Sequence, residues 1–223
     1  STKHNPEFTM LECYQAYADY NDVMKMVEEM VSFIAQEILN TVEVNFGENT
    51  ITFSSPWRRI TLHEAIMERC GIDFEKYPDA DSLRKAITPK LAMEHLGEWE
   101  GFNTMSWGKL IDKLISTFVE PNLVQPTFVL DYPVELSPLA KRKPDNERLV
   151  ERFEVFAGGM EIANAFTELN DPLEQQERFQ QQLREREAGD KEVELPDEDF
   201  LNALEYGMPP TGGLGVGIDR LVM

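Results

Sequence analysis

The stretch 154–171, EVFAGGMEIANAFTELND, sets Glu154, Glu161, Glu168 and Asp171 among apolar residues around the pair Gly158-Gly159. Carboxylates this dense in an apolar strand pair destabilise a fold unless a cation, a metal ion or an ammonium meets them. The stretch therefore reads as a binding site. With Gly158-Gly159 as a two-residue turn, Ala157 faces Met160, Phe156 faces Glu161 and Glu154 faces Ala163. Glu154 and Glu161 then become diagonal neighbours on one face, within about 7–8 Å. Two carboxylates at that range can share a hard cation such as Mg²⁺ and leave positions for waters and phosphate oxygens. Two independent acids on a solvent-facing sheet surface fit the same spacing, and spacing alone does not choose between them.

Asn164, Phe166 and Glu168 alternate onto one face, but their parity differs from that of Glu161. Regular pleating would turn the two groups to opposite faces and place Glu168 alone against a core, which is costly. A β-bulge near Ile162–Ala163 is therefore expected.

A second constellation pairs Glu12 with Tyr14, two residues apart on one strand face. Glu12 and Glu168 can together hold an ammonium, with Tyr14 adding a hydroxyl and a ring wall; two unrelated exposed acids are the alternative. A third is Thr211–Gly217 with the residues after it, TGGLGVGIDR. Its alternating Gly213, Gly215 and Gly217 do not match GxGxxG, and suggest a strand closely approached by a flat ligand, with Arg220 where a helix begins. A glycine-rich bend with Arg220 in a structural ion pair is the other reading. His4, His63 and His95 show no zinc-ligand spacing, and Cys13 has no histidine near it in sequence. The run Lys141-Arg142-Lys143 reads as a solvated loop.

The elements that must position these residues follow from periodicity. A strand sets Phe8, Met10, Glu12, Tyr14 and Ala16 on one face. A helix over 21–40 carries Val23, Met26, Met30, Phe33, Ile34 and Ile38 at helical spacing, with Asp22 near its start. Segments 42–46 and 51–53 form a hairpin, and Thr61 with Glu64 makes a capping box for a helix to Cys70. Helices are expected over 82–96, interrupted by Pro89, and over 106–118. A short strand covers 127–132, a polar loop 141–147, and a second hairpin 152–157 and 160–169. Asp171 caps a helix with Pro172 at its first position, Glu174 as box partner and an end near Gly189; a last helix at 197–206 stops at Gly207. Hairpins and helices in separate blocks predict an α+β fold with an antiparallel sheet flanked by helices, in one domain over 1–223.

A formal charge of −20 on 223 residues repels nucleic acid over most of the surface, so a polyanion must meet a local basic patch or a separate domain. Much of the acidic excess lies between Glu168 and Asp199 and reads as a solvated helix face. No run approaches the ~20 apolar residues that span a bilayer. Two cysteines, Cys13 and Cys70, point to a reducing, cytoplasmic setting.

Taken together the motifs resemble the class II lysyl-tRNA synthetases. KHNPEFTMLECYQAYADYND looks like the second half of class II motif 2. PTFVLDYPVELSPLAK and RFEVFAGGMEIANAFTELNDP look like the lysine-specific segments between motifs 2 and 3, and PPTGGLGVGIDRLVM looks like motif 3. The resemblance implies a class II catalytic core that activates L-lysine with ATP and Mg²⁺ and passes it to tRNA-Lys, in a cytoplasmic homodimer. It implies lysine contacts for Glu12, Tyr14, Asn164, Phe166 and Glu168, and Mg²⁺ ligands in Glu154 and Glu161. It places ATP contacts at Lys3, His4, Phe8 and Arg220, with Arg220 as the catalytic arginine. Lys3 stands where many members carry arginine, which keeps the charge and loses the fork. The chain opens within motif 2, so the resemblance implies a piece of the core without motif 1, the preceding arginine or the anticodon-binding domain; alone, it is expected to activate lysine poorly. A paralogue that ligates β-lysine to elongation factor P, and a non-catalytic synthetase-like binding module, are the competing readings. The former usually carries Ala where Gly215 stands here.

Overall fold

The computed structural model describes residues 5–93, 99–187 and 197–223; Lys3, His4, His95 and the end expected at Gly189 lie outside them. The elements in chain order are β1 (Met10–Ala16), α1 (Tyr20–Leu39), β2 (Glu43–Phe46), β3 (Asn49–Thr52), β4 (Arg58–Thr61), α2 (Leu62–Cys70), α3 (Ala80–Met93) and α4 (Trp107–Leu114). There follow β5 (Thr127–Leu130), β6 (Arg142–Lys143), β7 (Asn146–Val150), β8 (Arg152–Ala157), β9 (Met160–Thr167), α5 (Pro172–Glu187), α6 (Glu198–Glu205), β10 (Thr211–Gly217) and α7 (Ile218–Val222).

Among the described residues a six-stranded sheet runs β1-β10-β9-β8-β5-β4. Its neighbours are antiparallel except β4, which lies parallel to β5. The expected α+β class holds, with this one parallel edge as a refinement. One face of the sheet packs on α1, through Val23, Val27 and Val31 against Phe153, Val155, Ala163, Ala165 and Leu214. The other face is divided. At the β4–β5 end it is covered by α2, α3 and α4 through Leu62, Ile66, Leu83, Ile87, Leu110 and Leu114, all essentially inaccessible. At the β9–β10–β1 end it is open, and the site lies there.

Capping explains where several helices start. Asp19 caps α1 and Asp22 closes the box, and Thr61 with Glu64 does the same for α2. Asp171 accepts from the amides of Leu173 and Glu174, but Glu174 does not reach back. Its carboxylate is taken instead by Arg142 and Arg178, so the expected box at α5 is half formed.

Three expectations give way. Pro89 sits inside α3 rather than interrupting it, because Leu83, Ile87 and Leu91 are buried on one stripe and hold helical geometry across it. Residues 141–147 are no solvated loop: β6 and β7 pair, Arg142 bonds Glu174 and the Glu147 carbonyl, and Lys143 bonds Asp131 at 2.8 Å. The buried stripe of α1 is Val23, Val27, Val31 and Ala35, while Phe33 and Ile38 are 65% and 71% exposed. Small β-branched and alanine side chains let α1 approach the sheet more closely than Phe33 would.

That approach is tightest at Gly212. A β-carbon there would meet Val23 Cγ2 at 2.5 Å and the Asp19 carbonyl at 3.1 Å. Gly212→Ala is accordingly expected to destabilise the protein by about 1–3 kcal/mol, the usual cost of overpacking. Urea unfolding of the intact protein measures it, and an unchanged midpoint would count against this packing.

Candidate functional site

The register of the sheet assembles the site in two rows across four strands. Glu12 pairs with Gly215, Gly215 with Asn164 and Asn164 with Glu154. Next to it, Tyr14 pairs with Gly213, Gly213 with Phe166 and Phe166 with Arg152. In each row the β10 position is a glycine, so β10 forms a floor without side chains. Glu12 and Tyr14 on one side and Asn164 and Phe166 on the other stand as walls. The cavity between them is about 700 Å³, and Phe8, Glu12, Tyr14, Glu161, Asn164, Phe166, Glu168 and Arg220 all line it.

One irregularity makes this gathering work. Phe156 pairs with Glu161 but Val155 pairs with Ala163, so Ile162 is an extra residue in β9. Gly158 and Gly159, at φ +61° and +73°, form the two-residue turn that fixes the start of the register. The bulge turns Ile162 and Ala163 both toward the core and leaves Glu161, Asn164, Phe166 and Glu168 half-buried on the cavity side. The expected bulge is present. It also corrects one pairing, since Glu154 lies opposite Asn164 rather than Ala163.

At one end of the cavity the Glu168 carboxylate rests directly over Gly213. A β-carbon on Gly213 would stand 1.8 Å from Glu168 Oε1, 2.9 Å from its Cδ and 3.3 Å from Tyr14 Cε1. Burial pushes the Glu168 carboxyl up to about 7, and among the described residues no lysine, arginine or histidine makes an ion pair with it. The Tyr14 phenol is raised by desolvation and by the Glu168 and Glu12 carboxylates beside it. Among the described residues this end therefore presents acids without an ion-pair partner, and burial disfavours the charged form of Glu168 in the absence of a cation.

The other end holds Glu161 and Arg220. Arg220 starts on the first turn of α7, where its Nη1 donates to the Glu161 carbonyl at 2.6 Å and lies 3.8 Å from Glu161 Oε2. Asp219 Oδ2 accepts from the Thr9 amide at 2.6 Å, tying α7 to the segment that presents Phe8, which is 61% exposed at the cavity mouth. Burial and the nearby Glu154 charge raise the Glu161 carboxyl above the usual range, against the opposing pull of Arg220 and Arg152.

Glu154 stands one strand further in, behind Asn164. Its Oε1 accepts from Arg152 Nη2 at 2.6 Å and its Oε2 from the buried Tyr132 hydroxyl at 2.8 Å. Arg152 and Tyr132 were not foreseen as site residues. Arg152 was within reach, since the alternation Arg152–Glu154 puts both on one strand face. Tyr132 was not, because the strand expected to reach 132 ends at Leu130 and Asp131, at φ +62°, turns the chain there. Gly213 was foreseen as an approach for a ligand, whereas the group that approaches it here is Glu168.

Away from the cavity, His63 lies with Asp73 and Glu75. Its Nε2 is 3.0 Å from Asp73 Oδ1, and Lys76 Nζ is 3.1 Å from Asp73 Oδ2, so Asp73 already has two cationic or donor partners.

A family model for tRNA synthetases class II (D, K and N) matches residues 1–223. Among curated relatives, the lysine–tRNA ligase of Chloroflexus aurantiacus is 55% identical over 221 residues, covering 99% of this chain and 43% of the relative. Those of Dehalococcoides mccartyi and Moorella thermoacetica are each 54% identical, over 225 and 224 residues, covering all of this chain and 44% of the relative. The chain thus spans less than half the length of the curated relatives it matches.

Proposed function

We propose that this chain, which belongs to the tRNA synthetases class II (D, K and N), takes part in joining L-lysine to ATP as lysyl-adenylate and in passing the lysyl group to tRNA-Lys. The observation that carries the reading is the Glu168 carboxylate, seated over Gly213 beside Tyr14 and Glu12, with no ion-pair partner among the described residues. An ε-ammonium supplies that missing charge, and the apolar body of Phe166 accommodates the methylenes that lead to it.

The rest of the cavity suits the other partner. Phe8 at the mouth offers a face for a base, and Arg220 offers a fork for phosphate oxygens. In the reaction the lysine carboxylate attacks the α-phosphorus and the bond to pyrophosphate breaks. The described residues supply no covalent chemistry to that step. Their work is to hold the carboxylate in line and to meet the negative charge that builds on the phosphates.

Glu154 and Glu161 fit Mg²⁺. They offer hard oxygen donors, and Glu161, raised first by burial and then by the Glu154 charge, would gain from a cation beside it. Glu154 would share its oxygens between the metal and its present donors Arg152 and Tyr132. Mg²⁺ held there would neutralise phosphate charge. Arg152 and Tyr132 would keep Glu154 aimed meanwhile. We further assign a cytoplasmic, homodimeric setting to the whole protein. The free thiols of Cys13 and Cys70 agree with a reducing compartment, and no described helix is long and apolar enough to cross a membrane.

The test is ATP–pyrophosphate exchange by the intact protein with lysine and with norleucine, which keeps the methylenes and lacks the ammonium. Exchange is expected with lysine and to fall by about 10³-fold or more in specificity with norleucine, because the buried acid is then left unpaired. Equal exchange with both would refute the lysine assignment.

A further inference from the structure

We propose that Arg152 is a positioning residue that fixes the Asn164 side chain with its amide nitrogen toward the cavity, so that this position acts only as a donor to the carboxylate of the amino-acid substrate. The proposal deepens the function stated above and rests on the cavity being an amino-acid pocket.

Arg152 Nε donates to Asn164 Oδ1 at 3.0 Å. An amide side chain has nearly the same shape with oxygen and nitrogen exchanged, and packing alone does not choose between the two. A guanidinium N–H does choose, because it can meet only the oxygen. The Asn164 NH₂ is then the end left for the cavity, whose wall Asn164 forms. A ligand oxygen fits there and a ligand ammonium does not.

The choice holds only if the guanidinium itself cannot turn, and the structure locks it on three further sides. Nη1 donates to the Leu136 carbonyl at 2.7 Å and to Ser137 Oγ at 2.9 Å. Nη2 donates to Glu154 Oε1 at 2.6 Å. The guanidinium carbon lies 4.6 Å from the centroid of the Tyr132 ring. Tyr132 is in turn held by its hydroxyl on Glu154. Four of the five N–H groups are thus spent on four different acceptors in a planar fork, which a lysine side chain cannot reproduce. The backbone register agrees: Arg152 pairs with Phe166, so its side chain reaches Asn164 diagonally, along the face that opens on the cavity.

Arg152→Lys is the informative variant, since it retains a cation beside Glu154 and loses the fork. Lysine and cadaverine, which has no carboxylate, are titrated calorimetrically into the intact protein without ATP or divalent metal. Lysine affinity is expected to fall about 10–100-fold and cadaverine affinity to stay as in wild type. Equal loss for both ligands, or no loss for lysine, overturns the proposal. In a double-mutant cycle, Arg152→Lys with Asn164→Ala is expected to bind lysine no more weakly than Asn164→Ala alone, because one residue acts through the other. Additive losses also overturn it. If the wild-type protein binds no lysine, the proposed function fails first, and the ligand-free protein still tests Arg152. The side-chain amide resonances of Asn164 are expected to shift or broaden in Arg152→Lys, and unchanged resonances refute the positioning role.

Discussion

Glu168→Gln is expected to raise the lysine KM by about 10²–10³-fold while leaving the ATP KM within a few-fold. Removing one partner of a desolvated charge pair costs a large part of binding, since the ammonium is buried against a neutral amide. Gln keeps the volume and the contact with Gly213, so the change reports charge rather than packing. The pH profile sharpens the test. Burial raises the Glu168 carboxyl to about 7 in the ligand-free protein, and an ammonium needs the carboxylate. Below pH 7 the acid must lose a proton before lysine binds, so affinity is expected to fall about tenfold per pH unit as pH drops. The linked stability has the opposite sense. A carboxyl raised in the folded state favours the ligand-free fold at acid pH and loses that contribution as pH rises through about 7, where lysine binding restores it. In Glu168→Gln the affinity between pH 5 and 7 is expected to be flat. Pyrophosphate exchange and calorimetry across that range decide the matter, and a wild-type affinity independent of pH would remove Glu168 from the ammonium site.

Gly213→Ala is expected to weaken lysine binding by about 10²-fold without destabilising the protein. The added carbon would stand 1.8 Å from Glu168 Oε1, well inside contact distance, so the carboxylate has to leave its place over β10. A displacement of about 1 Å at a binding centre is enough for a loss of that size. The backbone at Gly213 is not in the left-handed region, and alanine restricts the unfolded chain, so stability is expected to hold or rise slightly. Gly215 provides the contrast. A β-carbon there meets only Met10 Cε at 3.5 Å and the Asn164 carbonyl at 3.8 Å, so alanine narrows the cavity without moving Glu168. Calorimetric lysine titration beside a thermal melt separates the two effects. Wild-type affinity in Gly213→Ala would mean that the seat over β10 does not govern recognition.

These two residues also show how much of the site the sequence disclosed. Glu168 was legible because an acid with core-face parity is costly, and the same cost argument placed the bulge beside Ile162. The capping box at Thr61 and the turn at Gly158-Gly159 were legible from local chemistry, whereas near the start of α1 the sequence pointed only to Asp22 and did not identify Asp19 as the cap. What stayed hidden depends on distant chain. The Arg152 fork is completed by Leu136 and Ser137, which approach through a segment with no pattern of its own. The role of Lys141–Lys143 depends on Glu174 and Asp131, both invisible from the charge run. On α1 two apolar stripes compete, and only the distance to the sheet selects the valines over Phe33 and Ile38. Lys3 and His4 lie outside the described residues.

The extra residue at Ile162 has a consequence for how such a pocket can change over time. Along β9 the assignment of side chains to ligand or to interior is a phase, and the bulge is where that phase is reset. Point substitutions at Asn164, Phe166 or Glu168 retune one contact each and leave the phase alone. Insertion of one further residue between Glu161 and Ala163, with the bulge kept, would instead exchange interior and pocket for one arm of the hairpin and separate the acid at Glu161 from that at Glu168. Loss of Ile162 would restore regular alternation with both on one face. The hairpin therefore tolerates spelling changes and resists insertion, so new ligand preferences on this scaffold are reached by substitution.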